Sequence, residues 1–231
     1  MITICNFFNF ALFCNSIFFN QFILFHLNYF KLMENKVQLG TVFSEGFTNG
    51  MKNLPSLLGA LVLWILTIWI PYVNVGTTIA ILTLPILMSK GIVFSPLDIF
   101  NKKYYRFMGE FFLVGGLMFM GILAGLVFFI VPAFVIAIAW SLAIYLLLDK
   151  GLNAAEALRV SNKLTYGNKW TLFAVSLILG IVYFVFSYLF GKIPFIGWLL
   201  NICLFVVYYA FSLGCSASIY GTLSKNIEEQ N

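Results

Sequence analysis

Beyond Met33 the chain alternates between long apolar runs and short polar connectors. Six runs meet or approach the roughly 20 helical residues, about 17 at the least, that a bilayer core of about 30 Å requires. They are Leu54 to Ile70, Val73 to Ser89, Phe111 to Val131, Ala133 to Leu148, Trp170 to Phe190, and Phe195 to about Ile219. Within each consecutive pair the connection is very short and holds a proline: Pro71, Pro132 and Pro194. Proline lacks the N–H that a helix interior needs, so each predicts a corner between two helices rather than a kink in one. The pattern predicts an all-α polytopic membrane protein whose six transmembrane helices form three proline-cornered hairpins, in a single domain over residues 33–231.

Charge gives this arrangement a direction. From Met33 there are 12 Lys and Arg residues; Lys192 alone stands at a corner, and the others lie before, between or after the hairpins. Cytoplasmic loops carry the excess of Lys and Arg, so Met33 and Asn231 are both expected on the cytoplasmic side.

Two polar connectors carry helical periodicity of their own. Leu39, Phe43, Phe47 and Met51 recur every four residues, the spacing of an amphipathic helix lying in the interface. In the second, Asn153 is placed to cap a helix with Glu156 at its third position, and Arg159 with Lys163 is expected to face headgroups. The alternative is that both are solvated connectors. A weak internal repeat links Ile70-Pro71-Tyr72-Val73 with Ile193-Pro194-Phe195-Ile196, and both with Val131-Pro132-Ala133.

Composition agrees with a bilayer environment. The chain is 62% hydrophobic and only 9% charged, with a mean hydropathy of +0.99, whereas a soluble domain has about a quarter of its residues charged. Its net charge of +5 is scattered, which suits an anionic headgroup surface and not nucleic acid. Cys5, Cys14, Cys203 and Cys215 form no C-x-x-C pair and lie in apolar runs, as buried free thiols do. Residues 1–32 differ from the rest: nine Phe and five Asn, with no Gly, Pro, Val, Trp, Asp or Glu. Three readings stand for this leader. Translation starts at Met33, or the leader is an extra helix over about Phe7 to Phe30, or it is a signal segment, although no basic region precedes Phe7.

From Pro132 to Leu172 the order of features is specific: a corner proline, an apolar helix, Leu148-Asp149-Lys150-Gly151, Glu156-Ala157-Leu158, Ser161, and Gly167-Asn168-Lys169-Trp170. This stretch resembles bacterial membrane proteins similar to the membrane domain of glycerophosphoryl diester phosphodiesterases. The resemblance implies a polytopic inner-membrane protein. The barrel that carries catalysis in those enzymes has no counterpart in the sequence, so no catalytic residue is carried over. Some relatives bear carotene-oxygenase labels. That chemistry needs several imidazole or carboxylate donors around an open metal position, and the one histidine here is His26, in the leader.

The same shortage argues against Ser-His hydrolysis, and no phosphate-binding glycine loop occurs. No catalytic, cofactor or metal-ligating residue is assigned. The candidates that remain concern transport and packing. Glu110, at the start of the third span, is the acidic group nearest to a span interior, and Arg106 four residues earlier is expected to pair with it. Asp149, Glu156 and Asn168 belong to the polar edge, and Asn201 lies inside the sixth run. Gly121-x-x-x-Gly125 permits close helix approach, within one molecule or between copies. The expected role is a non-catalytic membrane protein that organises lipid or partner proteins. A small-molecule permease is the alternative, and a membrane enzyme is disfavoured.

Overall fold

The structure is a computed structural model that describes residues 36–193 and 196–228. The expectations for residues 1–32 and for the Pro194 corner fall outside them. Val37–Asn231 forms one compact unit. The described residues are helical, with no strand among them. The helices are α1 Leu39–Thr67, α2 Pro71–Leu82, α3 Leu84–Ser89, α4 Met108–Phe128, α5 Ile130–Ala139, α6 Ala143–Lys150, α7 Ala154–Thr165, α8 Lys169–Gly191 and α9 Gly197–Glu228. Taking α2 with α3 and α5 with α6, six helices are long and apolar enough to cross a membrane, which fits the all-α polytopic reading.

The first corner sits where the prolines predict it. Pro71 opens α2 at a position whose N–H would have had no partner in any case. The second corner is displaced: the chain turns at Phe129, which is extended (φ −171°, ψ 158°), and Pro132 lies in the first turn of α5. The physical reason is the same, because a proline fits the first turn of a helix without losing a hydrogen bond.

The connector from Leu39 is not a separate in-plane helix. It is the first half of α1, which runs unbroken for 29 residues through Pro55. Its buried face is not the Leu39, Phe43, Phe47, Met51 stripe, of which Leu39, Phe47 and Met51 are exposed, but Val42, Gly46, Gly50, Asn53, Leu57 and Ala60. Gly46 and Gly50 let α1 lie against α9. A methyl group on Gly50 would stand 2.7 Å from the Ala210 carbonyl oxygen. Large side chains point outward because lipid solvates them as well as a protein core does, and small residues gather where backbones meet.

The core is built from the first hairpin and α9, with Leu57, Ile79, Leu84, Met88, Leu213 and Ala217 in one cluster. Two 3-10 turns, Pro96–Phe100 and Lys102–Phe107, join the first hairpin to the second and pack on α1 and α2. Tyr105 stacks on Tyr72 with ring centroids 5.1 Å apart.

Candidate functional site

The second helix of each of the first two hairpins is interrupted in mid-course. Between α2 and α3 the break falls at Thr83, two residues before Pro85. Between α5 and α6 it falls at Trp140, Ser141 and Leu142. Each short helix beyond the break ends in the same way, with a lysine followed by a left-handed glycine: Lys90-Gly91 (φ 73°) and Lys150-Gly151 (φ 65°). Only glycine takes that conformation without strain between Cβ and the backbone, so the two ends are stopped by the same device.

Backbone groups freed by a break inside a bilayer need partners, since lipid offers none. At the second break they find them on α7. Ala143 N–H turns back to the Trp140 carbonyl, so the Ala139 carbonyl oxygen instead accepts from Ser161 Oγ at 2.7 Å and Thr165 Oγ1 at 3.3 Å. The Leu142 N–H donates to Ser161 Oγ at 3.2 Å. One buried hydroxyl thus closes both sides of the gap.

The ends of the two short helices meet at one carboxylate. Asp149, with 6% of its side chain exposed, pairs through Oδ1 with Lys90, which is 49% exposed. Its Oδ2 accepts from the buried Tyr220 hydroxyl at 2.6 Å, and Lys150 Nζ lies 3.8 Å away. The carboxylate therefore joins the end of α3, the end of α6 and the C-terminal third of α9. The Tyr145 ring lies edge-on to Tyr220, with centroids 5.8 Å apart, and also lines a neighbouring cavity.

That cavity is a groove of about 720 Å³ between α5–α6, α8 and α9. Its walls are mostly aliphatic and aromatic. A scatter of hydroxyls runs among them: Ser141, Tyr145, Ser176, Tyr208, Ser212 and Ser216. Phe134, Ile181 and Phe184 on its lining are exposed, so the groove opens sideways, toward the space lipid occupies around spanning helices.

The candidate residues distribute as follows. Asp149 is at the helix-end junction. Glu110 does not pair with Arg106. Residues 102–107 form a 3-10 turn, whose three residues per turn do not align positions four apart, and Glu110 Oε2 instead accepts from the Ala154 N–H at the start of α7, at 2.9 Å. Asn153 does cap α7, its Oδ1 accepting from the Glu156 N–H at 2.9 Å, while the Glu156 carboxylate receives only a long contact from Asn153 Nδ2 at 3.5 Å. Asn168 is buried and its Oδ1 accepts from Val37 N–H at 2.9 Å, which ties the start of α1 to the α7–α8 junction. Asn201 donates to the Gly197 carbonyl of its own helix at 3.0 Å, and neither it nor Glu110 lines the groove. Gly121 and Gly125 are covered within the molecule, by Trp140 and by the backbone of Ala133. Sequence reasoning missed Lys90, Tyr145, Tyr220 and Thr165, and it read Ser161 only as part of a motif. The repeated Lys-Gly ends were a usable signal.

Among the described residues no three His, Cys, Asp or Glu side chains gather as metal ligands would. No protein family model, curated protein or solved structure matches this chain.

Proposed function

We propose that this protein is a non-catalytic, multi-pass protein of a bacterial inner membrane, with Met33 and Asn231 on the cytoplasmic side, that organises lipid by holding a chain in its lateral groove. One observation carries the reading: the groove between α5–α6, α8 and α9 is walled mostly by apolar side chains, opens sideways, and leaves Glu110 and Asn201 outside its lining. Concave, mainly apolar sites with a few polar groups are where ligands bind, and a sideways opening selects ligands already dissolved in the bilayer.

Gly180 supplies the test. It lines the groove, and a methyl group added there would meet nothing within 4 Å, so Gly180→Trp fills the space without a backbone clash. In native lipid discs, wild type should retain lipid through delipidation, read by mass spectrometry of the intact complex. Gly180→Trp should lose it at unchanged thermal stability. Equal retention by both refutes the groove as the holding site.

A second reading, a small-molecule permease, is favoured by the two interrupted helices, since discontinuous spans surround the substrate sites of many transporters.

A further inference from the structure

The polar face of α7 and the groove are continuous through Lys169. Arg159, Asn162 and Lys163 are exposed on α7, on the side away from its buried Ala157, Leu158, Ser161 and Leu164. Arg159 and Lys163 stand one turn apart, and Lys169 Nζ donates to Asn162 Oδ1 at 3.0 Å, which brings a third cation beside them. The ion pairs among the described residues, Lys90 and Lys150 with Asp149, use none of these three. Lys169 begins α8, and Leu172, Phe173 and Ser176 follow it at three, four and seven residues along one helical face. All three line the groove. Trp170, 84% exposed, meets the groove-lining Phe173 edge-on at 6.3 Å, in the manner of an interfacial aromatic anchor. At the second break, α7 and the groove wall also share a bond, because Leu142 lines the groove and its N–H is held by Ser161.

We infer that the groove and this basic patch are two halves of one binding site for an anionic glycerophospholipid. The acyl chain lies along Leu172, Phe173 and Leu179, and the phosphate headgroup rests among Arg159, Lys163 and Lys169. The inference rests on the lipid-holding reading above and adds the headgroup class. A zwitterionic headgroup carries its own ammonium into a patch of three cations and is repelled in part, whereas one with net negative charge is not. A cation beside an anionic lipid surface contributes roughly a fivefold preference, so two of them together contribute at least tenfold.

The test uses the full chain in discs of mixed phosphatidylglycerol and phosphatidylcholine, with the lipids retained after stripping counted by native mass spectrometry. Wild type should retain phosphatidylglycerol over phosphatidylcholine at least tenfold. The variant Lys163→Gln/Lys169→Gln should retain lipid with that preference reduced to the roughly fivefold that Arg159 alone contributes. Raising salt from about 0.1 to about 1 M shortens the screening length from roughly 10 to 3 Å and should erode the wild-type preference in the same direction, so the inference stays testable if the double variant folds poorly. Retention without headgroup preference in wild type, or a preference unchanged both in the double variant and at high salt, overturns the headgroup site and leaves the lipid-holding groove standing. If wild type retains no lipid at all, both fall.

Discussion

The α1–α9 crossing allows one substitution to be followed from geometry to a measured number. Gly214 of α9 faces the Gly46 carbonyl oxygen in direct contact, and a methyl group there would also stand 2.9 Å from the Gly50 backbone nitrogen. Both obstacles are backbone atoms of a helix, so no side-chain rotation relieves Gly214→Ala; the two helices must separate. Inserting a methyl group into a packed interior costs about 1–3 kcal/mol, and with backbone on the opposing side the upper half of that range applies. At about 1.4 kcal/mol per tenfold, the unfolded population rises roughly thirty- to hundredfold. Gly116→Ala makes the same chemical change on α4, where an added methyl group meets nothing within 4 Å, and should be neutral or slightly stabilising through its better helix propensity. Reversible unfolding in mixed micelles, followed by tryptophan fluorescence against the detergent fraction, reads both. If Gly214→Ala unfolds at the same detergent fraction as wild type, the close approach described for α1 and α9 is wrong.

Asp149→Ala removes the acceptor shared by Lys90 and Tyr220 and should cost about 1–3 kcal/mol in the same unfolding assay, the worth of hydrogen bonds to a charged group. Lys90→Ala should cost less than about 1 kcal/mol because half of that lysine is already solvated, and equal losses would contradict the central place given to the carboxylate. Glu110→Ala should speed amide exchange at the start of α7, while Glu110→Gln, which keeps an acceptor for the Ala154 N–H, should restore protection and leave any proton-coupled uptake into proteoliposomes unchanged. Loss of uptake in Glu110→Gln alone, at unaltered stability, would replace the lipid reading with the permease. In a background without native cysteines, a cysteine at Lys192 should react with an impermeant maleimide from outside intact cells and one at Asn162 should not; external labelling at Asn162 overturns the orientation.

The six spans were legible in the sequence because apolar length alone decides them. The inward faces were not, because in lipid large apolar side chains serve equally well outside, and small residues mark where helices meet. The regular stripe Leu39, Phe43, Phe47, Met51 was read as the apolar face of a separate helix in the interface, whereas the residues that meet α9 are the inconspicuous Gly46 and Gly50 of one continuous helix. The expected Arg106–Glu110 pair assumed an α-helix where the chain winds as a 3-10 turn, so the register of positions four apart did not apply. Asn153 capping was legible because its partner is three residues away. The partners of Asp149 lie 59 and 71 residues along the chain, and no local pattern joins them. The groove was equally hidden, since its hydroxyls come from three different spans.

The closure of the second break by Ser161 and Thr165 bears on how the chain enters the membrane. Those hydroxyls are synthesised after both helices of the second hairpin, so the hairpin reaches the bilayer with the Ala139 carbonyl and the Leu142 N–H still lacking their final partners. Integration of that hairpin is therefore coupled to the docking of the segment that follows it. Nascent chains arrested with Lys150 just outside the ribosome and α7 still inside it should sit shallowly or slip back, and release into lipid should come only once α7 has emerged and folded against the gap.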